Sequence, residues 1–277
     1  MADLLSYAGK RVVVSGCFSG MGEATARTLL SLGAEVHGLD YKQTALNLAS
    51  FTQVDLRDPA SIEAAAKKIG GKVDALFNCA GLARTQAFPS LDVVKVNFLG
   101  TRHLTEQLLP YMGKGSAIAS ISSTAGFGWA RHVADLIGII SAGGFAEGLK
   151  WCEAHPGEVK EGYTFSKELV IVWTQLISSK LIQQGIRVNC TLPGPTETPM
   201  MKDFLSATPE TVIDAAAQPI NRRSTPQEQA NALVFLNSDL ASYINGVPFP
   251  VDGGFVGGVL TGQVDLSAMM AAASGGK

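Results

Sequence analysis

The chain has 277 residues, of which 46% are hydrophobic and 17% charged, and its formal net charge is −2 at pH 7. This length suits one large α/β domain, and the nearly balanced charge argues against a nucleic acid partner. Apolar stretches stay below the roughly 18 residues that span a membrane, and the first residues do not resemble a secretory signal, so we expect a soluble cytoplasmic protein.

Short apolar runs rich in β-branched residues alternate with segments of helical periodicity along the chain. The predicted strands are residues 11–16, 34–40, 73–78, 116–122, 186–190 and 246–252, with a further short strand before residue 55. The predicted helices are residues 20–32, 59–70, 90–111, 160–184 and 226–239. Runs that are apolar on both faces predict a single-domain α/β fold, a Rossmann-type doubly wound parallel sheet with helices on both faces. Ligands of such sheets bind in the crevice at the carboxyl ends of the strands.

A glycine-rich turn follows the first predicted strand and opens the first predicted helix. It reads Gly16-Cys-Phe-Ser19-Gly20-Met21-Gly22. Glycines let the backbone turn tightly and approach a pyrophosphate, whose charge is met by free N–H groups at the helix N-terminus. The placement between a strand and a helix predicts a dinucleotide-phosphate site.

Two aspartates further along are candidates for binding the adenosine part of a dinucleotide. Asp40 ends the second strand 18 positions after Gly22, near the spacing expected of a carboxylate that binds ribose hydroxyls. Such a carboxylate repels a 2′-phosphate, so Asp40 favours NAD over NADP. Asp55 could bind the adenine amino group with Leu56 packing nearby, or could simply be an aspartate at the start of the helix that begins near Pro59.

A tyrosine and a lysine four positions apart form the chemical candidate. Tyr163 and Lys167 project from one face of a predicted helix. Oxidation of an alcohol needs a base for the hydroxyl proton. An ammonium group and an oxidised nicotinamide nearby are expected to lower the pKa of the tyrosine toward the working pH.

Six motifs in a fixed order make the chain similar to the short-chain dehydrogenase/reductase family of the compact, single-domain kind. They are SGCFSGMG at 15–22, NCAG at 78–81, VNF around Asn97, SSTAG at 122–126, Tyr163-xxx-Lys167, and PGPTETP at 193–199. The resemblance covers residues 1–255 and implies that residues 1–277 form one dinucleotide-binding and catalytic domain.

The resemblance assigns roles to four residues. Tyr163 is similar to the catalytic acid/base, and Lys167 to the group that binds the nicotinamide ribose and lowers the tyrosine pKa. Ser123 resembles the donor that orients the substrate oxygen. We prefer it to Ser122 because the family's serine stands three residues before a glycine, which leaves Ser120 and Ser122 as strand residues. Asn97 matches the position that holds a water in a proton relay.

The same resemblance implies contacts to the cofactor from residues along the crevice. Beside the glycine turn and the two aspartates, they are Asn78, Ala80, Gly81, Tyr163, Lys167, Pro193, Gly194, Thr196 and Thr198. The segment from Pro193 to Thr198 resembles the part that closes over the nicotinamide, with Thr196 or Thr198 touching its carboxamide.

The chain departs from the common family pattern between Ser123 and Tyr163. These residues stand 40 positions apart, where an ordinary connecting loop has about a dozen residues. The insertion, residues 127–160, contains DLIGIISAGGF at 135–145, which matches neither a strand nor a clean amphipathic helix. With PGPTETP and the short segments 41–50 and 81–97, it makes the chain similar to the bacterial 3α-hydroxysteroid dehydrogenase/carbonyl reductase subgroup.

The apolar residues of the insertion have two interpretations. They can line a hydrophobic substrate pocket, or they can form a subunit interface or a satellite core. The residues are Phe127, Trp129, Leu136, Ile137, Ile139, Ile140, Phe145 and Trp151.

Several other features carry no catalytic expectation. The four histidines and four cysteines are dispersed without metal-ligand spacing, so we expect no metal, and Cys17 is read as a packing residue. Arg222 and Arg223 are read as a solvated pair. Residues 256–277, rich in glycine and alanine, are read as a C-terminal extension with a loose end.

The sequence therefore predicts an NAD-dependent oxidoreductase that interconverts a secondary alcohol and a ketone on an apolar alicyclic or aromatic substrate. A carbonyl reductase of broad specificity, or a cofactor-independent lyase or dehalogenase of the same fold, are the alternatives. The family's long helices lead us to expect a homodimer or homotetramer.

Overall fold

A computed structural model describes residues 4–265 of the chain and contains a seven-stranded, wholly parallel sheet. The strand order is β3-β2-β1-β4-β5-β6-β7. The strands are β1 (Arg11–Ser15), β2 (Glu35–Asp40), β3 (Ser50–Gln53), β4 (Val73–Asn78), β5 (Met112–Ile121), β6 (Arg187–Pro193) and β7 (Pro248–Val251). The strand order reverses direction beside β1, and this is where open α/β sheets bind their ligands. The predicted fold class is confirmed.

The helices lie on both faces of the sheet, as predicted. They are α1 (Gly20–Ser31), α2 (Pro59–Ile69), α3 (Ser90–Val94), α4 (Thr101–Leu108), α5 (Val133–Ser141), α6 (Phe145–Ala154), α7 (Pro156–Val159), α8 (Gly162–Leu181), α9 (Met201–Ala207), α10 (Glu210–Ala215), α11 (Pro226–Asn237) and α12 (Phe255–Leu260). A π-helical segment, Lys95–Gly100, joins α3 to α4. The predicted helix over 90–111 is therefore continuous but changes its winding in the middle.

The central strands are buried on both faces, which produces two hydrophobic clusters. In β1, Val12 and Val14 point toward α1 and α11, while Val13 points to the opposite face, toward α2, α4 and α8. Successive side chains of a strand alternate between faces, so a strand apolar at every position needs helices on both sides.

Local capping signals fix where the surface helices begin. The Asp58 side chain accepts a hydrogen bond from the Ala60 N–H, and Pro59 occupies the first turn of α2. At α11, Thr225 and Glu228 form a reciprocal capping box. Asp58, and not Asp55, is thus the helix-start aspartate, which corrects one of the two interpretations of Asp55.

The insertion is helical and packs into the main core. The sequence did not predict a helix over residues 135–145, yet Val133–Ser141 forms α5. Leu136 and Ile139, three residues apart, are fully buried, whereas Ile137 between them is 40% exposed. Phe145 of α6 joins the same cluster as α4 and α8. Trp151 stacks near Phe165 of α8, with ring centroids 6.1 Å apart.

The pocket-lining interpretation is therefore wrong for the buried residues of the insertion, because their side chains are taken up by core packing. Leu136, Ile139 and Phe145 belong to this group, with Trp129, Ile140 and Trp151 packed against it. Phe127 differs, since it lies against a separate small cluster.

The start of the C-terminal extension is packed and not merely appended, contrary to expectation. Phe255, Val256 and Val264 are buried together with Phe127 of the insertion. The loose end expected at the C-terminus falls on residues 266–277, outside the described residues. Among helices within residues 4–265, none combines the length and apolarity that crossing a membrane requires.

Candidate active site

Three of the four catalytic candidates meet at the carboxyl end of β5. Tyr163 lies in the first turn of α8, and its phenol hydrogen-bonds with the Ser123 hydroxyl just after β5. Lys167, one turn later, places Nζ 5.5 Å from the centre of the Tyr163 ring and donates to the Ile121 carbonyl at 2.9 Å. The four-residue spacing predicted this shared face of the helix.

Burial shifts the pKa values of Tyr163 and Lys167 in opposite directions. Loss of solvent raises the pKa of Tyr163, and the hydrogen bond with Ser123 lowers it in part. Burial also lowers the pKa of the 5% exposed Lys167 to about 8. The protein residues alone therefore do not produce the expected depression of the tyrosine pKa, because the effect of burial outweighs that of the hydrogen bond with Ser123.

The serine assignment rests on what each hydroxyl contacts. Ser122 is buried, and its hydroxyl donates to the Lys167 carbonyl at 2.7 Å, so it fastens the end of β5 to α8. Ser122 lies one position past the end of β5, although its N–H still donates to the Thr191 carbonyl of β6. Ser123 accepts from the Ala125 N–H at 3.1 Å and faces Tyr163. The preference for Ser123 agrees with this geometry.

Asn97 lies in the π-helical segment and is 2% exposed. Its Oδ1 accepts from the Leu82 N–H at 2.7 Å, and its Nδ2 donates to the Leu82 carbonyl and to the Ser166 hydroxyl. Both amide hydrogens are therefore used, and one lone pair of Oδ1 remains for the predicted water. A Cβ on Gly81 would lie 3.4 Å from Oδ1 and 3.8 Å from Lys167 Nζ, so both groups face that glycine.

The glycine turn forms a cradle that fits a dinucleotide phosphate. Gly16 has φ +74°, and a Cβ there would come 2.5 Å from the Ala80 backbone nitrogen. A Cβ on Gly22 would collide with the Gly16 carbonyl oxygen. Ser19 precedes α1 without capping it through its side chain, so the helix N-terminus keeps N–H groups available for an anion. Met21 packs against the core beneath the turn.

Asp40 closes the outer end of this cradle. One carboxylate oxygen accepts from the Phe18 N–H and the other from the Lys42 N–H, each at 2.9 Å. These bonds fix the carboxylate at the end of β2 while leaving acceptor capacity for hydroxyl groups. Cys17 beside it is buried, and burial raises the pKa of its thiol to about 12, which agrees with a packing role.

The Asp55 carboxylate forms an ion pair with Arg57. Arg57 binds both of its oxygens and holds the pKa of Asp55 below its usual range. The Arg57 guanidinium also lies over the Tyr41 ring. Leu56 is 5% exposed and its side chain belongs to the core, so the packing of this residue near adenine stays a prediction.

The Asn78 side chain points into the molecule, and the contact of this residue with the cofactor stays a prediction. Its Nδ2 donates to Thr105 and to Ser120, and the residue is 2% exposed. Asn78 thus ties β4 to β5 and α4, which supports the floor of the crevice without reaching its surface.

The segment after β6 folds back over the glycine cradle. Pro193 ends β6, and the Gly194 N–H donates to Val251 of β7. Thr196 is buried and hydrogen-bonds with the Gly194 carbonyl and with Ser224. The Thr198 side chain lies over Gly20, where a Cβ would come within 3.3 Å of its methyl group. Of the two threonines, Thr198 is thus the one directed at the crevice.

Two short helices, α9 and α10, form a lid that sequence reasoning did not identify. Phe204 of α9 meets the Tyr163 ring edge-on, with centroids 4.9 Å apart. Arg223 ion-pairs with Glu197 and with Glu210 and Asp214 of the lid, and its side chain is 13% exposed. Arg223 therefore ties the segment after β6 to α10 through ion pairs and is not the solvated residue that the sequence predicted. The sequence around Phe204 carries no signal of its contact with Tyr163.

Within residues 4–265, the side chains of His, Cys, Asp and Glu form no cluster of three or more that could hold a metal ion.

Comparisons with known proteins fit this geometry. Residues 10–134 match the family model described as short chain dehydrogenase, and residues 153–256 match one described as enoyl-(acyl carrier protein) reductase. The chain is 36% identical to coniferyl-alcohol dehydrogenase of Pseudomonas sp. (strain HR199 / DSM 7063), over 90% of this chain and 98% of that protein.

Two further relatives are named for hydroxysteroids. The chain is 32% identical to 3-alpha-hydroxysteroid dehydrogenase/carbonyl reductase of Comamonas testosteroni, over 88% of this chain and 95% of that protein. The crystal structure of 3-alpha-hydroxysteroid dehydrogenase from Pseudomonas sp. B-0831 complexed with NADH has a TM-score of 0.77 and 28% identity, covering 92% and 100% of the two chains. The chain belongs to the short-chain dehydrogenase/reductase family, is an oxidoreductase of the type that acts on alcohols and ketones, and binds a nicotinamide dinucleotide.

Proposed function

We propose that this protein is an NAD-dependent oxidoreductase that interconverts a secondary alcohol and a ketone on an apolar, ring-bearing molecule. The observation that carries the proposal is the meeting of Ser123, Tyr163 and Lys167 beside an intact glycine cradle. A base, a hydroxyl donor and an ammonium group around one point are the groups that alcohol oxidation requires.

Bound NAD supplies the acceptor for the hydride in the oxidation direction. Tyr163 takes the proton of the alcohol at its phenolic oxygen, and Ser123 orients the substrate oxygen by a hydrogen bond. Lys167 stabilises the phenolate through its positive charge, and it binds the nicotinamide ribose. Asn97 holds the loop at Leu82 and offers the remaining lone pair of Oδ1 to a water that returns the proton to solvent.

Asp40 supports NAD as the cofactor. Its carboxylate is fixed at the end of β2 by two backbone N–H groups, where it can accept from the two ribose hydroxyls. A 2′-phosphate at that point meets a negative charge at short range, which is unfavourable. We expect Asp40→Asn to narrow the preference for NAD by raising the kcat/KM for NADP. Equal use of both cofactors by the native protein would contradict this role.

The substrate class rests on the apolar surroundings of the tyrosine. The Phe204 ring stands edge-on against the Tyr163 ring, with centroids 4.9 Å apart. The relatives named for coniferyl alcohol and for 3-alpha-hydroxysteroids favour a ring-bearing alcohol over a small aliphatic one.

A substrate panel tests the proposal. Cyclic ketones, steroids and aryl alcohols are assayed with NAD(H) and NADP(H), following absorbance of the reduced nicotinamide. Turnover of ring-bearing substrates is expected in the native protein, and Tyr163→Phe is expected to lower kcat by about 10³-fold while NADH binding, measured by fluorescence, persists. Undiminished turnover in Tyr163→Phe would refute the mechanism.

A further inference from the structure

A buried carboxylate on the catalytic helix has no part in the proposed chemistry. Glu168 follows Lys167 on α8 and is 3% exposed. Its Oε2 lies 2.8 Å from Nε2 of His132, a residue at the start of the insertion. The described part of the chain supplies this carboxylate with no other ion-pair partner. A carboxylate this buried is costly without compensation, so the contact with His132 is its main support.

His132 ends the short segment that begins at the catalytic serine. Ser123 caps the N-terminus of a 3-10 helix, Thr124–Arg131, and His132 caps its C-terminus. This helix lies along α8. A Cβ on Gly126 would come 2.8 Å from the Lys167 carbonyl carbon and 2.9 Å from the Glu168 nitrogen, so only glycine permits so close an approach.

The 3-10 helix is thus fastened to α8 at both ends. At its beginning, the Ser122 hydroxyl donates to the Lys167 carbonyl at 2.7 Å. At its far end, His132 reaches the Glu168 carboxylate. Between them, Gly128 stands so that a Cβ would be 3.4 Å from Glu168 Oε1.

We propose that Glu168 and His132 are a positioning pair that holds this 3-10 helix on α8 and so fixes the Ser123 hydroxyl against the Tyr163 phenol. The inference rests on the proposed function, in which Tyr163 is the acid/base. Neither residue touches the reacting atoms. Their effect passes through the placement of Ser123.

The pair has a measurable consequence for proton transfer. The hydrogen bond with Ser123 lowers the pKa of Tyr163 against the effect of burial. If the 3-10 helix loosens, that bond weakens and the pKa of Tyr163 rises further. A purely structural role of the pair would lower the amount of folded enzyme and leave the pH profile of the folded fraction unchanged.

Four variants form the test. Glu168→Ala and His132→Ala remove the contact, whereas Glu168→Gln keeps the shape and a polar partner for His132. Glu63→Ala removes another His–Glu contact, the 3.2 Å contact between Glu63 of α2 and His103 of α4, and serves as the control. His132→Ala leaves the buried Glu168 carboxyl without its partner, and burial, which already raises the pKa of Glu168, lets that carboxyl take up a proton in place of the lost contact. Thermal unfolding of both alanine variants identifies which of them folds, and the kinetics are measured on the folded variants.

For both alanine variants, kcat for oxidation is expected to fall about 10- to 100-fold at neutral pH. The rising limb of the pH profile is expected to move up by about half a pH unit or more. Glu168→Gln is expected to recover most of the activity, and Glu63→Ala to match the native protein. Ultraviolet titration of tyrosinate, with Tyr163→Phe as the blank, gives the same shift without turnover.

A reduced kcat with an unmoved pH profile and an unmoved tyrosinate titration would overturn the positioning role while leaving the proposed function intact. Absence of turnover in the native protein would overturn the proposed function, and the tyrosinate titration would still decide whether the pair controls Tyr163.

Discussion

The ring of Phe204 meets the ring of Tyr163 edge-on, with centroids 4.9 Å apart and planes inclined at 77°. Phe204 belongs to α9 of the lid, whereas Tyr163 belongs to α8 in the body of the domain. The contact therefore joins α9 directly to the group proposed to move the proton. Two perpendicular rings also form an apolar corner that suits a flat or alicyclic substrate.

Replacing Phe204 by alanine is expected to raise KM for ring-bearing substrates about 5- to 10-fold, since an aromatic contact contributes about 1 kcal/mol beyond its buried area. The value of kcat changes less, because Ser123 and Lys167 remain in place. Steady-state kinetics on one aryl and one aliphatic alcohol provide the measurement. Leu205→Ala, a change of the adjacent exposed residue on the same helix, is the control and leaves KM unaltered. An equal effect from both variants would place the role of Phe204 in lid stability alone.

Burial of the Lys167 ammonium group is expected to lower the free energy of unfolding of the protein. Burial lowers its pKa from 10.5 to about 8, so the penalty on the ammonium is fully present below pH 8 and disappears as the pH rises toward 10.5. That shift corresponds to about 3 kcal/mol. The hydrogen bond to Ile121 that a substitution removes contributes about 1 kcal/mol.

Lys167→Met should therefore raise the free energy of unfolding at pH 7 by about 2 kcal/mol while abolishing turnover. Denaturant unfolding at pH 7 and near pH 10 measures the gain, which shrinks at the higher pH. A variant that is less stable than the native protein at both values would contradict the burial penalty.

The two directions of the reaction are expected to respond oppositely to pH. Burial raises the pKa of Tyr163, so the phenol is protonated at neutral pH. Oxidation needs the phenolate as a base, and its rate should rise with pH. Carbonyl reduction needs the phenol as an acid, and its rate should hold at neutral pH and fall on the alkaline side. Profiles of kcat/KM in both directions test this, and parallel profiles would exclude Tyr163 as the group that titrates.

The glycine cradle is expected to tolerate no side chain. Gly22→Ala places a Cβ against the Gly16 carbonyl and should abolish NADH binding, measured by fluorescence titration. Gly157→Ala is the matched control, because a Cβ there meets nothing within 4 Å. Thermal unfolding of both variants separates loss of binding from loss of folding. Native-like NADH affinity in Gly22→Ala would show that the dinucleotide binds elsewhere.

The sequence predicted the sheet well because its signals are local. Val73–Asn78 has the predicted bounds, and the predicted start of α2 at Pro59 follows from its proline and the aspartate before it. The strand β5 begins at Met112, earlier than predicted, since the exposed Gly-Lys-Gly stretch that extends it carries no apolar pattern. The four-residue spacing of Tyr163 and Lys167 likewise predicted that the two side chains share one face of the helix.

What escaped prediction depends on contacts between distant segments. Nothing in MKDFL indicates that Phe204 lies against Tyr163, and nothing near Glu168 points to His132. The helix α5 was missed because two of its buried residues, Leu136 and Ile139, are surrounded by other apolar residues that hide the periodicity. Asn78 and Leu56 match cofactor motifs, yet their side chains complete the core.

The packing of the insertion restricts how this enzyme could be re-engineered. Its helices cover Leu99, in the segment that bears Asn97, and Phe165, on the helix that bears Tyr163. Exchanging the insertion for a relative's short loop would leave both apolar side chains facing water. A chimera would therefore need compensating polar substitutions on the two catalytic helices, and a loop graft alone is expected to give an aggregating protein.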